Sequence, residues 1–284
     1  MAIATPYECE TTIVHARNMM YLQCNRPFVL QPNFTINAKR AVFKDVLPNL
    51  EEEGFPAINY FGIGIRGIKN TTDGHLATVF KTSIKDQDLY TPIPFRMIRK
   101  ANDYLMSPEE RSQYRMRTLV EVDGVEYIQY WLKKLTYNSE NVQLIETDFA
   151  TGTSKEYSLS TTDLYNPEPV MGSSDSVNLG SRLYAATPVT CKITGDEFTE
   201  VAAVFPDIAN ALAGFPLITE LGFYTGVDRQ VESPIDALSY VESLYTQLAG
   251  HMCFRGVDLS QNKSDAEIAI MIENGSGVLN ASVQ

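Results

Sequence analysis

The clearest alternation of hydrophobic and polar residues lies between Tyr114 and Leu135. Two runs rich in β-branched and aromatic residues flank Asp123-Gly124, and this dipeptide readily supplies the two positive φ angles of a type I′ turn. Along both runs, one set of side chains alternates with another at period 2, which places the two sets on opposite faces of a strand. The segment therefore predicts a long β-hairpin with one face suited to packing.

Shorter β-prone runs follow along the rest of the chain. They cover residues 58–68, 76–80, 142–149, 154–159, 188–194, 217–224 and 267–272. The prolines within Asp88–Arg96 favour an extended path because proline has no amide hydrogen and restricts its neighbour. Residues 6–30 are also predicted to be extended, except that the mixed pattern of residues 11–24 gives no firm assignment.

Helical signals are fewer. Ser107-Pro-Glu-Glu110 and Thr194-Gly-Asp-Glu197 both match the start of a capped helix, and the second helix is predicted to continue past Pro206 to Gly214. A further helix is predicted at 38–49, and the clearest one at 233–250, where apolar residues recur every three or four positions. The predicted fold class is α+β, with hairpin-rich mixed sheets and a few amphipathic helices.

Charge divides the chain into two parts. Residues 1–139 carry a net charge of +2, whereas residues 140–284 carry −14. We predict a near-neutral, hairpin-rich part at 1–160, a loop or linker at 161–181, and an acidic α/β part with an ordered C-terminal tail at 182–284. Such asymmetry suits head-to-tail contact between unlike surfaces, and it argues against non-specific nucleic-acid binding by the acidic half.

Motifs that could carry chemistry are weak. Gly62, Gly64 and Gly67 resemble a phosphate-binding GxGxxG, but a turn rather than a helix follows them, so we expect them to mark a bulge or a close backbone approach. His251 and Cys253 could supply two metal ligands, but a structural site needs four. We therefore predict a protein that is not an enzyme and has no cofactor and no metal.

Paired carboxylates are the remaining candidates for acid–base chemistry. They are Asp86 with Asp88, and Asp196 with Glu197. Solvated loop acids explain the first pair and helix-start acids the second. No apolar run is long enough for a membrane helix.

Four stretches together resemble virion structural proteins of tailed bacteriophages. They are DLYTPIPFR (88–96), SPEERSQYRMR (107–117), GVEYIQYWLKKL (124–135) and ITELGFYTGVDR (218–229). The last is similar to tail and baseplate segments in which a strand carrying Thr-Glu leads to a Gly-Val-Asp turn. The resemblance implies a non-enzymatic component of the neck (head-tail connector or collar), tail or baseplate, repeated around a symmetry axis.

The same resemblance implies partners and a location. The protein would be made in the bacterial host cytoplasm and would reside in the virion, in contact with copies of itself and with portal, adaptor, tail-tube or baseplate proteins, but not with a membrane. The acidic half could face a DNA channel and make only passing contact with DNA, because like charge prevents adhesion. The expected interface residues are Asp88, Tyr90, Phe95, Arg96, Arg111, Arg115, Arg117, Trp131, Lys133, Lys134, Thr219, Glu220, Asp228 and Arg229.

Two other classes of function remain open. One is a cytosolic small-molecule enzyme that uses the glycine-rich segment 58–75, which a deep pocket near Gly62 and Gly64 would favour. The other is a soluble module that binds a protein partner through a shallow surface.

Overall fold

A computed structural model describes residues 9–42, 46–69, 78–148, 151–158, 181–204, 217–258 and 266–274. The helices in these ranges are α1 (Ile13–Gln23), α2 (Asn37–Arg40), α3 (Leu50–Glu53), α4 (Pro108–Arg111) and α5 (Gly195–Val204), with 3-10 turns at Pro32–Phe34 and Lys100–Leu105. The strands are β1 (Glu10–Thr11), β2 (Ala57–Gly64), β3 (Ile68–Lys69), β4 (Thr78–Val79), β5 (Pro92–Ile93), β6 (Arg96–Arg99), β7 (Tyr114–Val122), β8 (Val125–Lys134), β9 (Thr136–Tyr137), β10 (Gln143–Asp148), β11 (Ser154–Glu156), β12 (Ser181–Ile193), β13 (Leu217–Glu232), β14 (Ser239–Asp258) and β15 (Ala266–Asn274). This antiparallel, sheet-dominated architecture confirms the predicted α+β class.

The chain divides into two compact units. The first lies within residues 1–135 and 192–267; its main sheet runs β1-β14-β13-β2-β8-β6, with β5 on β2 and β7 on β8. The second lies within residues 136–191 and 268–284, and it holds most of a sheet ordered β11-β10-β12-β15, with β9 on β12. Each unit combines segments from both sides of the predicted linker, so the units do not follow the predicted division at 161–181. Residues 159–180 and 275–284 lie outside the described residues.

The central hairpin forms as predicted. β7 and β8 pair antiparallel in one register that is interrupted at Met116 (φ 60°) and ends at Val122 opposite Val125. Asp123 has φ 50° and Gly124 φ 76°, which are the two left-handed residues of a type I′ turn. Local turn chemistry therefore decides this register.

Among the described strands, β13 and β14 form the longest antiparallel pair. They pair from Leu217 opposite Asp258 to Glu232 opposite Ser239, with three register shifts, and β14 also pairs with β1. The helix predicted at 233–250 is therefore wrong. Tyr245 has φ 53°, and a β-bulge of this kind breaks the period-2 alternation, which leaves apolar residues at a spacing that imitates a helix.

The N-terminal end differs from the sequence pattern in two places. Residues 13–23, for which the mixed pattern gave no firm assignment, form α1, and Thr12 caps it by accepting a hydrogen bond from the His15 amide (3.3 Å). The helix predicted at 38–49 is only the single turn α2, because the chain becomes extended at Ala41 and the Val42 amide donates to the Arg117 carbonyl. These segments follow tertiary contacts rather than their own periodicity.

Both capped helix starts are confirmed. The Ser107 hydroxyl accepts from the Glu110 amide (3.1 Å). Thr194 and Glu197 form a reciprocal capping box, in which each side chain accepts from the other residue's amide. The predicted continuation past Pro206 to Gly214 lies outside the described residues. No helix within the described ranges is long and apolar enough to cross a membrane.

Candidate functional site

A cavity of about 360 Å³ lies in the first unit, and four side chains of the described residues line it. Arg66 lies between β2 and β3, Phe80 and Lys81 follow β4, and Tyr90 precedes β5. The rings of Phe80 and Tyr90 are 6.5 Å apart in an edge-to-face arrangement. We call this the Arg66 cavity; it combines two cations with two aromatic rings.

A single buried carboxylate holds two walls of the Arg66 cavity in place. Glu220 on β13 is fully buried. It accepts hydrogen bonds from the backbone amides of Arg66 (2.5 Å), Tyr90 (2.7 Å) and Thr91 (3.3 Å). Hydrogen bonds from several amides satisfy a carboxylate that has left water. Glu220 therefore fixes the backbone at Arg66 and Tyr90, two of the residues that line the cavity.

The neighbouring Thr219 fixes a third wall. Its hydroxyl accepts from the Gly67 amide (2.8 Å), and the Gly67 carbonyl accepts from the Phe80 amide (2.8 Å). A Cβ atom on Gly67 would lie 2.0 Å from the Thr219 carbonyl oxygen, so only glycine permits this approach. The prediction that the glycines of this segment mark a close backbone approach is confirmed at this position.

The other two glycines leave no room for a phosphate. A Cβ on Gly62 would lie 2.9 Å from the Tyr224 ring, and one on Gly64 would lie 2.8 Å from the Thr91 carbonyl oxygen. Both positions lie inside β2, paired with β13. A dinucleotide-binding turn requires a helix to open at the third glycine, and here β3 follows instead.

A buried histidine lies behind Tyr90. His251 on β14 is fully buried, and its Nδ1 atom lies 2.8 Å from a carboxylate oxygen of Asp86. Its Nε2 atom lies 3.5 Å from a Glu220 carboxylate oxygen and 3.9 Å from the Cys253 sulfur. The Tyr90 ring packs edge-on against the imidazole with a centroid distance of 4.7 Å. We call His251, Asp86, Glu220 and Cys253 the His251 cluster.

The electrostatics of this cluster favour a protonated imidazole. Burial alone would lower the pKa of His251, but the contacts with Cys253, Glu220 and Asp86 raise this pKa to about 10. Two carboxylates that face one ring stabilise the charged form. Asp86 is therefore the partner of a buried histidine and not a solvated loop acid, and Asp88 likewise pairs with Arg40.

The order Cys253, His251, Asp86 matches that of a nucleophile, a base and an orienting carboxylate. However, Cys253 is only 5 % exposed, and it is not among the residues that line the Arg66 cavity. A molecule in that cavity would contact Tyr90 and not the sulfur. Among the described residues, no group of three or more His, Cys, Asp or Glu side chains is arranged to hold a metal ion.

Many of the residues predicted at interfaces form buried ion pairs. Arg117 is fully buried and lies 2.8 Å from a carboxylate oxygen of Asp103, which is itself 1 % exposed. Arg117 also pairs with Asp236 and donates to the Ser233 hydroxyl (2.8 Å). Burial alone would lower the pKa of Arg117, but hydrogen bonds and charges, first of all from Asp103, raise it.

A second pair connects the hairpin to β13. Arg115 donates from two nitrogens to the two carboxylate oxygens of Asp228 (2.8 and 2.7 Å). Burial would raise the pKa of Asp228, but the Arg115 guanidinium holds it below its usual value. A bidentate pair of this kind adds geometric specificity to charge, so it aligns the two strands.

The other predicted residues are distributed around these pairs. Lys133 pairs with Glu197 (2.6 Å), Arg96 with Glu200 (2.6 Å) and with Glu110, and Arg229 with Glu53. Arg111 donates to the carbonyls of Asp103 and Met106. Phe95 packs in the core against Phe61, and the Trp131 indole donates to Thr118. Lys134 lies 3.8 Å from Asp228. Most of these side chains contact the rest of their own unit, and their role between copies stays a prediction.

Tyr90, Thr219 and Glu220 are among the residues predicted at an interface, and Arg66 lies in the glycine-rich segment 58–75 of the enzyme alternative. Phe80 and Lys81 were not predicted as site residues. The missed residues come from segments whose meeting depends on the β2–β13 pairing. The only local signal was the close-packed glycine segment around Arg66. The sequence paired His251 with Cys253 only as two possible metal ligands, and it did not associate them with Asp86 or Glu220.

The fold and site together define an antiparallel, sheet-dominated α+β protein that has several buried ion pairs and a small cationic, aromatic cavity. The chain belongs to a family of unknown function, DUF7208, whose model matches residues 3–280. No curated protein matches the chain. No solved structure matches it either.

Proposed function

We propose that the protein is a non-enzymatic structural component of a tailed-phage virion, assembled in multiple copies as a ring in the neck, tail or baseplate. One observation carries the proposal. The four stretches that resemble phage virion proteins, distant in sequence, meet in a single network of strands and ion pairs. The resemblance therefore concerns one structural unit and not scattered segments.

The contacts within that network are direct. Segment 88–96 joins segment 218–229 through the Tyr90 amide on Glu220 and the Tyr224 hydroxyl on Asp88 (3.0 Å). Segment 107–117 joins it through Arg115 and Asp228, and it pairs with segment 124–135 in the hairpin. Segment 88–96 pairs with segment 124–135 through β6 and β8. A rigid unit of this kind suits a subunit that repeats in an assembly.

An exposed apolar pair supplies a candidate contact between copies. Tyr104 is 71 % and Leu105 66 % exposed, and they are neighbours at the end of the 3-10 turn before α4. Single exposed apolar residues are common, but an adjacent tyrosine and leucine are suited to anchor a protein contact. We place the ring contact at this turn.

Charge contributes less to the proposed ring than the sequence predicts. Arg96, Arg115 and Lys133 pair with Glu200, Asp228 and Glu197 inside one chain. These pairs join bases of the near-neutral half to acids of the acidic half. Because these charges are already paired within one chain, fewer remain for electrostatic contacts between head-to-tail copies. We therefore expect the apolar turn to contribute more of the proposed contact.

The oligomeric state of the purified chain tests the ring. Light scattering coupled to size exclusion, at about 1 to about 100 µM, together with electron microscopy, should show closed rings, because homo-oligomers usually close by symmetry. The double substitution Tyr104→Ser and Leu105→Ser should shift the protein to monomers. The control Leu119→Ser removes a leucine that is 40 % exposed on the hairpin, and it should leave rings intact.

Two outcomes would contradict the proposal. A wild-type protein that stays monomeric across the range would remove the ring, and equal disruption by the control would remove the assigned contact. Mass spectrometry of purified phage particles should find the chain in stoichiometric amounts. Its absence from particles would remove the virion assignment.

The alternative of a small-molecule enzyme gains one observation, namely that Arg66, in the glycine-rich segment, lines a cavity. That segment's residues 70–77 lie outside the described residues. Neighbouring atoms already occupy the space at Gly62 and Gly64, so only the Arg66 cavity supports this alternative. The ligand chemistry of that cavity can be tested directly.

A further inference from the structure

We propose that the Arg66 cavity is a binding site for a small organic anion, with a phosphate or carboxylate group carried on a flat ring. The inference rests on the cavity's own residues and does not depend on the proposed place in a virion. Its volume of about 360 Å³ is at the small end of the range for small-molecule sites. It therefore suits a ligand with one ring system and one anionic group.

The two cationic side chains of the cavity indicate that its ligand carries an anionic group. Arg66 and Lys81 are both exposed, and neither has an ion-pair partner within the part of the chain that the structure describes. This contrasts with the arginines of the same unit discussed above, which pair with carboxylates or carbonyls. The planar guanidinium of Arg66 suits bidentate recognition of a carboxylate or phosphate, and Lys81 adds a second charge.

The flat ring follows from Phe80 and Tyr90. They are 39 % and 40 % exposed, and their edge-to-face geometry presents ring surface to a planar ligand. Aromatic pairs of this kind contribute beyond the area they bury. A ligand that stacks on these rings places its charged substituent near Arg66 and Lys81.

The site is built before any ligand arrives. The Tyr90 hydroxyl donates to the Lys81 carbonyl (3.0 Å) and lies 3.3 Å from Asp86, while its amide binds Glu220. Asp86 and Glu220, the acids that contact Tyr90, are already engaged: Asp86 pairs with His251, and Glu220 accepts from backbone amides and faces the same imidazole. A preorganised site loses less conformational entropy on binding.

Calorimetric titration of the full chain with four probes tests the chemistry. Adenosine 5′-monophosphate and indole-3-carboxylate carry a ring with a phosphate or a carboxylate, adenosine carries the ring alone, and inorganic phosphate carries the anion alone. Both ring-bearing anions should bind more tightly than adenosine and phosphate. The tighter of the two distinguishes a phosphate ligand from a carboxylate ligand.

Substitutions locate the site. Arg66→Gln and Lys81→Gln should each weaken the tighter probe by about 10-fold, as expected for loss of one charge-assisted hydrogen bond. Lys85→Gln is the matched control, since Lys85 is exposed in the same segment but does not line the cavity, and it should change the affinity less than about 2-fold. Phe80→Leu should weaken the ring-bearing probes and leave inorganic phosphate unaffected.

Three results would overturn the inference. The first is no heat of binding for any probe up to millimolar concentration. The second is equal affinity for adenosine and its monophosphate, which would show that the anionic group does not contribute to binding. The third is equal weakening by the Lys85 control, which would show diffuse electrostatic attraction instead of a site.

Discussion

A rise in pH should remove the stabilisation that protonated His251 gives the folded chain. Its pKa is about 10 in the fold against an ordinary 6.5, and each tenfold difference in proton affinity is worth about 1.4 kcal/mol. The protonated ring therefore favours the folded state by about 5 kcal/mol. Because the folded pKa is the higher one, this contribution is complete below about pH 6.5 and is lost as pH rises through about 10.

The measurable part falls in an accessible window. Between about pH 6 and about pH 9 the loss is about 3 kcal/mol, from the two pKa values and linkage. Urea unfolding of the wild type and of His251→Gln at several pH values should show this loss only in the wild type. Tyr90 does not interfere, since burial and the Asp86 charge raise its pKa to about 12.

If His251→Gln folds poorly, a direct NMR titration of His251 in the wild type still tests the prediction. The sequence has three histidines, so their NMR signals can be assigned by single substitution. The His251 ring should stay protonated beyond about pH 9, and Asp86→Asn should lower its pKa because one of two facing carboxylates is lost. Titration of His251 near 6.5 in the folded wild type, or identical pH slopes in both proteins, would refute the reasoning.

Two further predictions concern stability. Arg117→Met should destabilise the fold by about 3–5 kcal/mol, because it leaves the Asp103 charge buried without its partner. The control Arg99→Met changes an exposed arginine and should cost less than about 0.5 kcal/mol. Equal losses of the two variants in urea unfolding would contradict the buried pair. Gly67→Ala should cost about 2–3 kcal/mol because its Cβ meets the Thr219 carbonyl. The control Gly152→Ala, with φ 66° and open space around it, should cost about 1 kcal/mol, and a smaller loss at Gly67 would contradict the close approach.

Helix and strand spacing alone misassigned β14. Glu242, Ser243, Thr246 and Gln247 are polar yet almost fully buried. Segments distant in sequence cover this part of β14: Asn18 of α1 donates to the Gln247 side chain, and Asn37 of α2 accepts from the Thr246 amide. Glu242, for example, accepts from the Met116 and Arg117 amides, and burial raises its pKa. Buried polar groups satisfied by distant partners leave no hydrophobic pattern to read.

The sequence by itself determined the elements that depend on neighbouring residues. The Asp123-Gly124 turn, the Ser107 cap and the Thr194 capping box all form as predicted, because their hydrogen bonds and φ angles need only a few adjacent residues. Tertiary structure alone decided the candidate site. Arg66, Phe80 and Tyr90 meet because Thr219 and Glu220, more than a hundred residues later in the chain, fix their backbones, and only the pairing of β2 with β13 brings those residues together.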